Sequence, residues 1–157
     1  MIAIGFDPGT RACGWGVVVK DGSILERAAS GVMKPKSTLS LHERLGGILS
    51  AAMPLCNSRV DVVACEDVWV GKNARSALVI GSARGVIMAA AGLADRPFAL
   101  YPPATVKKAV AGYGRANKDE VQRAVRALLE LPKDFRLAED ESDALAVAIT
   151  AAVSFRP

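Results

Sequence analysis

Ile2-Ala-Ile-Gly-Phe-Asp-Pro-Gly-Thr10 is the stretch that decides the fold. Ile2 to Phe6 reads as a short buried strand, and Asp7-Pro8-Gly9-Thr10 breaks it with turn chemistry. An acid thus stands at the end of an otherwise apolar strand. Working outward, Gly14 to Lys20 is a second strand, Asp21-Gly22 a hairpin turn, and Ile24 to Met33 a third strand, so the chain opens as an antiparallel meander. Ser40-Leu-His-Glu43 is a capping box, and Leu41, Leu45, Ile48, Leu49 and Ala52 keep helical spacing until Pro54, where the helix is expected to stop.

Val60 to Cys65 is a further strand, again ending in acids, Glu66 and Asp67. A helix over about Ala74 to Leu93 and a strand over Pro97 to Tyr101 complete a parallel unit. Pro103 opens a helix that Gly112 ends. Asn117 starts another, with Glu120 in the capping position and Val121, Ala124, Val125, Leu128 and Leu129 as its apolar stripe. Ser142 to Val153 is apolar almost all round, so it must be buried. The order β-β-β-α-β-α-β-α-α-α predicts an α/β domain over residues 1–157: a mixed five-stranded sheet, its first three strands antiparallel, with helices on both faces, as in ribonuclease H-like folds.

Composition bounds the function. A chain of 157 residues, 51% hydrophobic, suits one globular domain. Cys13, Cys56 and Cys65 show no C-x-x-C spacing, and Met1 to Asp7 lacks the basic start of a signal peptide, which together point to a reducing, cytoplasmic setting. Ser76 to Ala94, interrupted only by Arg84, is long enough to be tested as a membrane span. Its Ala, Gly and Ser content argues instead for a buried helix of a soluble protein, with no membrane partner. Small residues at Gly81, Ser82, Ala83 and Gly85 suit close helix packing, on the sheet or across a twofold dimer contact. The net charge is +4, yet Val68 to Lys118 holds eight Lys and Arg against the single acid Asp95. An excess confined to one segment marks a polyanion partner.

Four acids stand where function is favoured over solvation. Asp7 and Glu66 end apolar strands, and Asp140 and Asp143 lie three apart at the start of the buried helix. In a doubly covered sheet the carboxyl ends of neighbouring strands open into one crevice. Clustered carboxylates cannot all stay ionised without cations between them, and hard oxygen donors suit Mg²⁺ or Mn²⁺. Two such ions in one site serve in-line displacement at phosphorus. Asp67 directly follows Glu66, so in a continuing strand it points to the opposite face, whereas Glu139 and Glu141 flank Asp140 and compete with it for the third position. A single histidine, His42, far from the acids, leaves no Ser-His-Asp or Cys-His device. Gly112-Tyr-Gly114 and Gly81-Ser-Ala-Arg-Gly85 lack the rest of a nucleotide-binding loop.

Ile4-Gly-Phe-Asp-Pro-Gly-Thr10, Glu66-Asp-Val-Trp69, Lys72-Asn-Ala-Arg-Ser-Ala-Leu78, Gly81-Ser-Ala-Arg-Gly85 and Asp140-Glu-Ser-Asp-Ala-Leu-Ala146, in this order, resemble the successive motifs of the RuvC-type Holliday junction resolvases. The resemblance covers nearly the whole chain. It implies a homodimeric endonuclease that nicks two opposing strands of a four-way DNA junction symmetrically, in recombination and repair, beside a branch-migration motor complex of the RuvAB type. It assigns the catalytic and metal-binding roles to Asp7, Glu66, Asp140 and Asp143. Lys107 and Lys118 match its basic DNA-binding positions, Trp69 its stacking aromatic, and Lys72, Asn73 and Arg75 its backbone contacts. A ribonuclease H-like enzyme acting on RNA–DNA hybrids, or a module that grips branched DNA without cutting, are the competing expectations.

Overall fold

The computed structural model describes residues 1–67 and 74–156. Five strands, β1 (Ile2–Asp7), β2 (Cys13–Asp21), β3 (Ile24–Met33), β4 (Val62–Glu66) and β5 (Phe98–Tyr101), form one sheet in the order β3-β2-β1-β4-β5. β1 runs antiparallel to β2 and β2 to β3, while β4 and β5 lie parallel to β1. The expected mixed sheet is therefore present. The β2–β3 hairpin closes through Gly22 and Ser23, Asp21 pairing with Ile24, and Gly22 takes the left-handed φ of 55° that so short a connection requires.

Helices α1 (Leu41–Asn57) and α2 (Ala74–Leu93) cover one face of the sheet; α3 (Pro103–Ala111), α4 (Lys118–Leu128) and α5 (Glu139–Ser154) cover the other. The period of two along the strands sorts the core accordingly. Ile4, Phe6, Val63 and Cys65 pack with α1 and α2, whereas Ala3, Val62 and Ala64 pack with α3 to α5. The same parity carries Asp7 and Glu66 onto the α5 face. From Glu141 to Ala152 every residue of α5 except Asp143 is buried, as an all-round apolar helix demands.

Three expectations need correction. α1 runs through Pro54 to Asn57. Pro54 and Ser50 both lie on the exposed side, where water can take the Ser50 carbonyl that proline leaves unbonded, while Ile48, Ala52 and Cys56 hold the helix to the core. α5 begins at Glu139, three residues before the expected Ser142, because its acidic first turn is favoured at a helix N-terminus. Lastly, α2 is not fully buried. Ala83, Ile87, Ala90 and Ala91 face the sheet, but Leu78 (73% exposed), Met88 and Leu93 face outward. A Cβ added at Gly81 or Gly85 would meet nothing within 4 Å, so of the small residues only Ala83 serves the sheet contact.

Candidate active site

Strand geometry and three glycines bring the acids together. In the β1–β2 ladder Gly5 pairs with Gly16 and Asp7 with Gly14. A Cβ on Gly5 would collide with the Ala144 carbonyl, one on Gly14 with the Asp140 carbonyl, and one on Gly16 would lie 2.6 Å from Leu145 Cδ2. These glycines let α5 lie directly on the sheet, so its first turn sits over the end of β1. Glu66 ends β4, the parallel neighbour of β1.

The result is a cavity of about 250 Å³ walled by Asp7, Glu66 and Asp143, by Lys107 of α3 and Lys118 of α4, and by Pro103, Val106, Val121, Ala146 and Val147. Burial and the neighbouring charges of Asp143, Asp140 and Glu66 push the Asp7 carboxyl up to about 7, with Lys118 opposing. Burial and Asp143 raise Glu66, against Lys107 and Lys118. Asp143 is raised by burial, Glu139 and Asp140 and lowered by the same two lysines. Like charges held this close in a desolvated pocket mark a site made for a cation.

Asp140 does not wall the cavity, yet its charge acts on both Asp7 and Asp143. A Cβ on Gly14 would lie 3.2 Å from that of Asp140, which places this residue beside Asp7. Its two rivals are engaged elsewhere. Glu139 is ion-paired with Lys118, and Glu141 accepts a hydrogen bond from the Ser30 hydroxyl on β3. Asp67 faces the other side of the sheet and pairs with Arg84 of α2 at 2.7 Å. Among the described residues no group of three acidic, His or Cys side chains encloses an ion by itself. Room in the cavity for retained water, and a donor set of carboxylate oxygens alone, fit Mg²⁺, which keeps several of its waters when protein-bound.

Of the expected DNA-contacting residues, Lys107 and Lys118 reach the cavity, and Arg75 is exposed in the first turn of α2. Trp69, Lys72 and Asn73 lie outside the described residues. The sequence reading overlooked the loop leading into α5. Arg126 Nη2 donates to the Phe135 carbonyl at 2.6 Å and Gln122 Nε2 to that of Leu137 at 3.5 Å, so the polar face of α4 ties down this loop. Their spacing along α4 opposite its apolar stripe was the available signal.

A family model for the crossover junction endodeoxyribonuclease RuvC matches residues 3–151. The chain belongs to the RuvC family. It is 45% identical over 150 residues to the RuvC of Anaeromyxobacter sp. (strain K), covering 95% of this chain and 79% of that protein. With the RuvC of Syntrophotalea carbinolica it shares 44% identity over 156 residues, 99% of this chain and 96% of the other. The solved Thermus thermophilus RuvC in complex with a Holliday junction substrate matches at a TM-score of 0.88 and 34% identity, over 97% of this chain and 93% of that one. The fold is thus the ribonuclease H-like fold of RuvC, and membership implies dependence on a divalent metal.

Proposed function

We infer that this protein is a structure-selective endonuclease that resolves four-way DNA junctions by paired, symmetric phosphodiester hydrolysis in recombination and repair. The observation that carries this reading is the single cavity in which Asp7, Glu66 and Asp143 meet beside Lys107 and Lys118, in a chain of the RuvC family. Asp7, Glu66, Asp140 and Asp143 are the catalytic metal ligands, holding two Mg²⁺ or Mn²⁺ ions per site. Bound there, such ions would supply an activated water and neutralise charge on the reacting phosphodiester.

The chain's own groups do the rest. Asp7 and Glu66, crowded by burial and by Asp143, would be the carboxylates most in need of a cation, and a bound metal would favour their ionised forms. Lys107 and Lys118 offer ammonium groups to the phosphate oxygens, fixing the backbone over the acids. Lys118 is positioned for this by Glu139. Arg75, exposed at the start of α2, binds the backbone with Lys72 and Asn73, and Trp69 stacks on bases at the crossover.

Two symmetric nicks need two sites, and the outward row of α2 supports a homodimer. Leu78, Met88 and Leu93 are exposed there, and Gly81 and Gly85 leave space for a second helix to approach. The domain, spanning residues 1–157, works in the cytoplasm beside a branch-migration motor complex, a setting that suits three free, buried cysteines.

The test is nicking with Mg²⁺ or Mn²⁺ of a four-way junction, a linear duplex and an RNA–DNA hybrid of matched sequence. Paired nicks on the junction alone are expected. Cleavage of the hybrid alone would overturn the substrate assignment, and no cleavage would favour a binding module.

A further inference from the structure

The start of α5 carries Glu139, Asp140, Glu141 and Asp143 beside a site already crowded with negative charge, and repulsion of Asp140 and Asp143 by Asp7, and of Asp143 by Glu66, works to lift it from the sheet. A chain of contacts on the far side of the helix opposes that lift. Glu141 is only 7% exposed although it sits between Asp140 and Asp143. One of its oxygens accepts from the Ser30 hydroxyl at 2.5 Å, the other from the Ala138 N–H at 3.4 Å. Ser30 Oγ accepts in turn from Arg27 Nε at 2.5 Å, and the Arg27 guanidinium lies 4.5 Å from the centre of the Phe135 ring.

This arrangement depends on an irregularity in β3. Residues three apart in a regular strand point to opposite faces. Here Val17 pairs with Ala29 and Val18 with Arg27, so Ala28 is an extra residue. Such a bulge restores Arg27 and Ser30 to one face, the α5 face, since their partners Val18 and Gly16 both meet α5-side residues. The Arg27 charge then reaches the buried Glu141 carboxylate through the serine hydroxyl, and charge-assisted hydrogen bonds are the stronger kind. Phe135 clasps the same guanidinium from the loop that enters α5.

We propose that Glu141 is a positioning residue for the metal-binding carboxylates: its link through Ser30 to the bulged edge strand fixes the first turn of α5, so that Asp140 and Asp143 meet Asp7 and Glu66. The proposal rests on the assignment of those four acids as ligands. Glu139 and Glu141 are held on either flank, by Lys118 and Ser30, leaving Asp140 and Asp143 for the site.

The experiment is Mn²⁺ binding to the full chain without DNA, followed by the paramagnetic resonance of free Mn²⁺, for Ser30→Ala, Glu141→Ala, Glu141→Gln and Asp143→Asn. Ser30→Ala and Glu141→Ala are each expected to weaken binding by about tenfold, the low end for partners that orient ligands. The double variant should lose no more than Glu141→Ala alone, because the Ser30 link is already broken there. Glu141→Gln, which keeps an acceptor for Ser30, should lose less. The melting temperature of metal-free Ser30→Ala should fall by a few degrees, the cost of one buried hydrogen bond, while its rise on adding Mn²⁺ also shrinks, which a general loss of stability would not produce. Parental Mn²⁺ affinity in folded Ser30→Ala overturns the proposal, provided Asp143→Asn has lost binding. Binding that survives Asp143→Asn overturns the ligand assignment instead.

Discussion

Gly14 stands directly across from Asp7 in the β1–β2 ladder, and the backbone of Asp140 rests on it. The absent side chain at one position therefore sets how closely the acids of the helix approach the acid of the strand. Gly14→Ala would force the first turn of α5 outward. We expect a stability loss of about 1–3 kcal/mol, typical of overpacking. Nicking should fall by about a hundredfold, as a misplacement near 1 Å does to catalysis. Chemical denaturation and single-turnover nicking check both; parental nicking would show that the contact does not set the site.

Asp7→Asn removes a proposed metal ligand and a carboxylate whose charge would repel phosphate. Nicking should disappear while junction affinity, measured by gel shift in chelator, stays equal or tightens. Affinity lost in parallel with activity would show that Asp7 supports the fold.

On the proposed ligand assignment, proton and metal compete for Asp7. Its folded pKa of about 7 lies above the ordinary 3.8, so the metal-free folded protein holds this proton more tightly than the unfolded chain. That contribution to stability is fully present below about pH 4 and is lost as pH rises through about 7. Glu66 and Asp143 are shifted in the same direction. The rise in melting temperature caused by saturating Mg²⁺ should consequently grow from pH 5.5 to pH 8, and apparent metal affinity should climb up to about tenfold per pH unit below 7 before levelling. A metal-induced rise independent of pH would contradict the coupling.

Much of this site was legible in the sequence because strand parity and helical spacing are local. Asp7 and Glu66 end strands whose apolar runs are easily read, and the parity that turns them toward α5 turns Asp67 away to Arg84. Among Glu139, Asp140 and Glu141, spacing alone favours Asp140 only slightly. Lys118 and Ser30, the partners that engage the outer two, are 21 residues from Glu139 and 111 from Glu141. Pro54 misled for a related reason: the helix tolerates it where the unbonded Ser50 carbonyl is exposed and Ile48, Ala52 and Cys56 anchor the turns around it, and exposure is a property of the fold. The apolar character of α2 was legible, and so was the choice between sheet and dimer contact for its small residues, but which of its residues face outward depends on how the helix is rotated on the sheet.

The assembly can be tested on α2 alone. Leu78 is 73% exposed in the protomer, so Leu78→Asp should leave the protomer's far-ultraviolet dichroism intact while shifting the sedimenting species from dimer to monomer. Paired nicking of one junction should then give way to single nicks. A Leu78→Asp protein that still sediments as a dimer would place the interface elsewhere.

The most direct measurement is strand-resolved cleavage of a four-way junction whose branch point can migrate, by the parent and by Asp143→Asn, with Mg²⁺ and then with chelator. The account predicts nicks at matching positions on two opposing strands, with religatable ends, for the parent with Mg²⁺ only. Unpaired nicks, cleavage equal to that of linear duplex, or activity surviving Asp143→Asn would contradict it.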